Sequence, residues 1–175
     1  ELDVRLCKSG ELVVFHDDDC QRLCGDSRLV QDLTWDQLLQ LRVSGERIPL
    51  LSEVLAEFPS ALVNIEMKMH PWQQALPLAK LTKDVIRRQQ ALHRVLVSSF
   101  DPRLLAVLKV LDPKIPRGLL CHHEQPLPLR RAWLAPGLDV AAVHPEECMV
   151  NTSSMDAWRE RGYRVNAWTV DDPQR

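Results

Sequence analysis

The sequence predicts a parallel α/β fold, either a doubly wound sheet or a (β/α)8 barrel, and three observations carry that reading. Short apolar runs alternate with amphipathic stretches along all 175 residues, the rhythm of a βα chain. The later apolar runs are nearly continuous, as in strands buried on both faces of a parallel sheet. No G-x-G-x-x-G follows a strand, which takes support away from a dinucleotide-binding fold.

Each element can be justified in order. Strands are expected at 2–6, 12–15, 61–65, 95–98, 118–121, 140–143 and 164–169, with the second forming a hairpin on the first. Thr34 is the expected N-cap of a helix beginning at Trp35, and Gln37 stands at the capping-box position. A helix over 52–58 should stop before Pro59. The stretch 72–91 is long and amphipathic, with Pro77 near its first turns. Asp101 and Pro102 are N-cap and first residue of the next helix, which carries Leu104, Leu105, Leu108 and Leu111 on one face. Ser153 or Ser154 should cap a helix over 155–161, with Gly162 as its terminating glycine. There is no internal repeat and no low-complexity segment.

The totals narrow the function. Hydrophobic residues make up 45% and charged residues 26%, enough for one well-buried domain of ordinary globular type. A net charge of −2 and a pI near 6.3 give no basic excess, so no nucleic-acid partner is expected. No apolar run approaches the ~20 residues of a membrane span, so no stable membrane insertion is expected either. Nothing resembles a signal peptide. Five cysteines are an odd count. Cys20 and Cys24 form a C-x3-C pair that would need two more ligands to hold zinc, conceivably from Cys121, His122 and His123. Free thiols in a reducing, cytoplasmic setting are the favoured reading.

The polar residues near strand ends form a pattern. Glu1 and Asp3 lie two apart and so share one strand face, as do Asn64, Glu66 and Lys68. Three carboxylates aimed at one interior repel unless something neutralises them. A bound cation would do so, and an all-oxygen set suits Mg2+ or Ca2+, not zinc. The plainer alternative leaves Glu1 and Asp3 solvated. His16 is either a surface residue at a strand-to-loop junction or a general acid or base with a pKa near neutrality. Lys68 is either solvated or a fixed positive charge facing a phosphate. In the run Asp17-Asp18-Asp19, only Asp17 is expected to have a structural partner. Later strand ends carry Ser98, His122, His123, His144 and Trp168. Of these, His144 is a candidate pocket residue, and His122 and His123 are expected in a loop, outside the chemistry.

These residues do not stand alone. "ELDVRLCKSGELVVFHDDDCQRLCG" resembles the glycerophosphodiester phosphodiesterase family, whose pattern is E-x-D-V-x-x-[ST]-x-D-G-x-x-V-V-x-H-D. "IPLLSEVL", "VNIEMK", "VLVSSFDPRLL" and "VNAWTVDD" follow in the family's order and cover nearly the whole chain. The resemblance implies a (β/α)8 TIM barrel with a small hairpin insertion near its start, formed by one domain over 1–175. A barrel of about 250 residues would then lack its first and last βα pieces here. It implies that Glu1, Asp3 and Glu66 are metal ligands, that His16 is one of two catalytic histidines, that Lys68 binds phosphate, and that Trp168 lines the pocket. The implied activity is metal-dependent hydrolysis of a small glycerophosphodiester to glycerol 3-phosphate and an alcohol, by attack of the glycerol 2-hydroxyl and opening of a cyclic phosphate by water.

The departures matter. The family's H-R-G and P-E-N-T elements, with a second histidine and an arginine, are not in these residues, so a catalytically weak phosphodiester-binding core is one alternative. Cys7 and Ser9 stand where Thr or Ser, and Asp, are common, and read as turn residues. Lysophospholipase-D-like action on larger lipids is the other alternative. The apolar segment 125–136 keeps it open, although a helix packed on the barrel exterior explains that segment more simply.

Overall fold

The computed structural model describes residues 1–69 and 75–171, in two compact units, Glu1–Val95 and Leu96–Arg175. The expected start of a helix at Trp72 lies outside the described residues.

In the first unit, β1 (Leu2–Leu6) pairs antiparallel with β2 (Leu12–Val14), Val4 facing Val14 and Leu6 facing Leu12. Gly10 turns the hairpin at φ +99°, a conformation that side chains resist. A second hairpin follows, β3 (Asp19–Cys20) and β4 (Asp26–Leu29), with the single turn α1 (Gln21–Cys24) between them. No sequence pattern marks these two strands, because their polar residues make no apolar run. Next come α2 (Trp35–Leu38) and α3 (Leu51–Glu57). Thr34 and Gln37 form the expected capping box. The strand expected at 61–65 is shifted to β5 (Val63–Met67), since Leu62 points into solvent and the buried residues come later. β5 runs parallel to β1 with Asp3 opposite Glu66. The helix α4 (Ala75–Arg88) buries Leu78, Ala79, Val85 and Ile86. Cys7, Val13, Phe15, Val30, Leu33, Leu38 and Ile48 form a core under the two hairpins. Arg94 is buried and donates to the carbonyls of Leu55, Phe58 and Ala61 at 2.6, 3.0 and 3.3 Å. Its guanidinium thereby serves the Leu55 carbonyl in the last turn of α3, which the helix leaves unpaired, and two carbonyls of the turn that follows.

The second unit is a parallel βα succession. β6 (Val95–Ser99) leads through α5 (Pro102–Leu111) to β7 (Arg117–Cys121). Asp101 caps α5 with Pro102 at its start, as the sequence requires. The segment 125–136 does not form one exterior helix. It makes two single turns, α6 (Leu127–Arg130) and α7 (Ala135–Leu138), with Ala132, Ala135 and Leu138 in the core and Leu127, Trp133 and Leu134 exposed. β8 (Ala142–Pro145) is shifted two residues from 140–143, because Leu120 and Cys121 of β7 pair with His144 and Pro145. The helix α8 (Thr152–Glu160) is capped by Asn151, not by Ser153 or Ser154. Asn151 Oδ1 accepts from Ser154 N, and Ser154 Oγ accepts from Asn151 N. Gly162 follows at φ +81°. Of the expected strand 164–169 only β9 (Arg164–Val165) is regular, although Asn166 N and Trp168 N still donate to the carbonyls of Val143 and Pro145. β6, β7, β8 and β9 are parallel neighbours in that order.

The cysteines are all free thiols. No helix among the described residues is long and apolar enough to cross a membrane.

Candidate metal and phosphate site

The parallel register of β1 and β5 does the gathering. Asp3 stands opposite Glu66, and period-two alternation puts Glu1 and Asp3 on the same face. Carboxylate oxygens of Glu1, Asp3 and Glu66 lie within 4.8 Å of one another. Glu66 is 6% exposed. Burial, with smaller contributions from Asp3 and Glu1, pushes its pKa up against the pull of Lys68. Burial and then Asp3 also raise the pKa of Glu1. Burial is the main cause of both shifts, and the neighbouring carboxylates add to it.

Lys68 follows β5 and turns its ammonium into this cluster, 2.5 Å from Glu66 Oε1 and 3.3 Å from Asp3 Oδ1. The Glu66 contact is an ion pair without regular hydrogen-bond geometry, for Oε1 has no hydrogen bond of ordinary direction. The side chain expected to face a phosphate thus rests on the carboxylates.

His16 follows β2, whose ladder to β1 is extended by a bond from Phe15 N to Asp3 O at 3.0 Å. Its Nδ1 lies 2.7 Å from Asp17 Oδ1. His16 is exposed and lines the same cavity as Lys68. Arg22 grips Asp17 at 2.7 and 2.8 Å, and this pair, ahead of His16, holds the Asp17 pKa at about 2. Asp17 is not alone in having a partner. Asp18 pairs with Arg5 at 2.5 Å and Asp19 accepts from Gln21 N at 2.9 Å, because the β3 hairpin folds the run back onto β1.

Arg5 and Arg22 were missed in the sequence. Arg5 continues the face of Glu1 and Asp3, and that 1, 3, 5 alternation was the available signal. It donates to the His16 carbonyl at 2.7 and 3.0 Å, while burial pulls its pKa down. Arg5, His16, Asp17 and Lys68 line one open cavity of about 590 Å3.

The glycerophosphoryl diester phosphodiesterase family model matches residues 1–175. The chain belongs to this family. A protein of Caldanaerobacter subterraneus named glycerophosphodiester phosphodiesterase is 31% identical over 98% of the chain and 73% of its own length. Among solved structures, an Oleispira antarctica phosphodiesterase in complex with the product sn-glycerol-3-phosphate is 26% identical, with a TM-score of 0.85 over 98% of this chain and 72% of that one. A glycerophosphodiester phosphodiesterase from Parabacteroides distasonis is 25% identical, with a TM-score of 0.81 over 99% of this chain and 71% of that one. Over the stretch it spans, this family member has the α/β fold of these (β/α)8 barrel enzymes.

In the second unit of this phosphodiesterase-family chain, His144 sits inside β8, 3% exposed, and burial lowers its pKa to about 4, so the ring is neutral near pH 7. Trp168 donates from Nε1 to the His144 carbonyl at 2.9 Å. Phe100 meets the Trp168 ring edge-on at 5.4 Å and His122 stacks on it at 5.9 Å. His122 and His123 lie in the turn after β7, as expected. They are not idle, because both face Glu146.

Proposed function

We propose that this chain carries the centre of a divalent-cation-dependent phosphodiesterase that hydrolyses glycerophosphodiesters to glycerol 3-phosphate and an alcohol. The observation that carries the reading is the convergence of Glu1, Asp3 and Glu66 within 4.8 Å, beside Lys68, which shares one cavity with His16. The donor set fits the group: three hard oxygens and surplus negative charge suit Mg2+ or Ca2+. When bound, such an ion neutralises phosphoryl charge and acidifies a nearby hydroxyl.

The chain's own residues supply the rest. Lys68 offers a fixed positive charge to phosphate oxygens. His16, held through Nδ1 by Asp17, is left with Nε2 to protonate the departing alcohol and then take a proton from water. Trp168 and His144 are assigned substrate contacts, Trp168 as an aromatic wall and His144 as a neutral polar group. The site is expected to serve a small soluble diester in glycerol and phospholipid metabolism.

The test is release of glycerol 3-phosphate from glycerophosphocholine by the full-length protein, with and without EDTA, beside His16→Ala. Full activity in EDTA would remove the cation, and unchanged turnover in the variant would remove the acid. A lysophospholipase-D-like reading is favoured by one observation, the exposed Leu127, Trp133 and Leu134. Faster turnover of lysophosphatidylcholine than of glycerophosphocholine would select it.

A further inference from the structure

We infer that His122, His123, Glu146 and Cys148 form a second metal site, suited to Zn2+ and built of other residues than the carboxylate cluster, that clips the turn after β7 to the turn after β8. The case begins with direction. Consecutive side chains of an extended chain point opposite ways. Here the turn closed by Gln125 N donating to His122 O, at 3.1 Å, brings both rings to one side, with centroids 4.5 Å apart. Glu146 Oε2 is 3.6 Å from His122 Nε2 and 2.5 Å from His123 Nδ1. Tetrahedral zinc with bonds near 2.1 Å separates its donors by about 3.4 Å. The two distances bracket that separation, so small side-chain movements suffice. Two imidazoles and a carboxylate also differ in kind from the all-oxygen cluster, and suit a borderline ion.

The three donors lie within 4.8 Å of one another, and Cys148, outside that group, completes the four by rotation of its exposed side chain. Cys148 stands two residues after Glu146 and lines, with His123, an open cavity of about 560 Å3 through which an ion can enter. Ligation replaces the S–H proton by the ion and releases that proton to solvent. A second carboxylate stands behind the rings: Glu124 lies 3.9 Å from His123 Nε2 and 4.0 Å from His122 Nδ1. Metal-bound histidines characteristically have such an outer partner. One contact must yield. Glu124 N donates to His122 Nδ1 at 3.2 Å, and coordination through Nε2 moves the ring proton to Nδ1 and displaces that bond.

The experiment is a Zn2+ titration of the full-length protein against a chromogenic chelator, in excess Mg2+ to occupy the carboxylate cluster. One Zn2+ per chain is expected to bind, with affinity reduced at least ~10-fold in His123→Ala and in Glu146→Gln, and unchanged in Glu66→Gln. Co2+ in place of Zn2+ should show a thiolate charge-transfer band that Cys148→Ser removes. Binding that survives both the His123 and Glu146 substitutions, binding lost in Glu66→Gln, or a cobalt spectrum without the thiolate band would each overturn the site. This outcome does not depend on phosphodiesterase turnover.

Discussion

Asp17 Oδ1 sits 2.7 Å from His16 Nδ1, and Arg22 fixes the same carboxylate from the other side. The arrangement removes the freedom of an exposed ring: one nitrogen is committed and the other is available to a substrate. Substituting His16 by Ala is expected to lower turnover by ~10²–10⁴-fold, the usual worth of a positioned acid–base group. Asp17→Asn should lower it less, since the acid remains and only its orientation suffers. Steady-state rates on glycerophosphocholine check both, and equal losses would contradict the positioning role.

The Asp17–Arg22 pair also sets an acid limit on stability. The carboxyl titrates at about 2 in the folded chain, against an ordinary 3.8. A lowered folded value means that the unfolded chain binds the proton first, so the contribution is intact above about pH 4 and disappears as pH falls toward about 2. Asp26, held at about 2 by Arg28, loses its contribution over the same range. The comparison of the native chain with Asp17→Asn isolates the first pair. Their denaturation midpoints should converge across that window, and a constant gap would count against it.

The carboxylate cluster predicts a metal effect independent of turnover. Glu1, Asp3 and Glu66 repel one another in the ion-free chain. Saturating Mg2+ or Ca2+ should raise the melting temperature, by the equivalent of about 2.7 kcal/mol at a hundred times the dissociation constant. Glu66→Gln should remove most of that rise. Differential scanning calorimetry with and without the ion is sufficient, and an equal rise in the variant would place the ion elsewhere.

Much of this was legible because it depends on local rules. Thr34 and Gln37, and Asp101 with Pro102, announce helix starts through hydrogen bonds within a few residues. Glu1, Asp3 and Glu66 could be grouped from strand alternation and family motifs, and the β1–β5 register then brought them together. What was not legible depends on long-range packing. β8 runs on through His144 and Pro145 because β7 offers Leu120 and Cys121 as partners. The β3–β4 hairpin is polar and is held by turns and ion pairs such as Arg5 with Asp18, so no apolar period marks it. His122, His123 and Glu146 meet across 23 residues of chain, a distance that spacing rules do not reach.

Gly118 offers a sharper test of how His144 is held. The glycine lies in mid-strand, between Ser98 of β6 and Ala142 of β7's other neighbour, β8. Space, not backbone conformation, demands it. A Cβ there would stand 2.8 Å from His144 Nε2 and 3.1 Å from both His144 Cε1 and Leu96 Cδ2. The imidazole is packed inside the second unit, and burial keeps it neutral. Gly118→Ala must therefore push the ring or bend the strand, at about 1–3 kcal/mol for an overpacked methyl. His144→Ala would leave a cavity instead. The double substitution should cost less than the sum of the two, because the new methyl occupies space that the ring vacates. Chemical denaturation of the four proteins measures the coupling. Strict additivity would mean that the strand, and not the His144 ring, absorbs the clash.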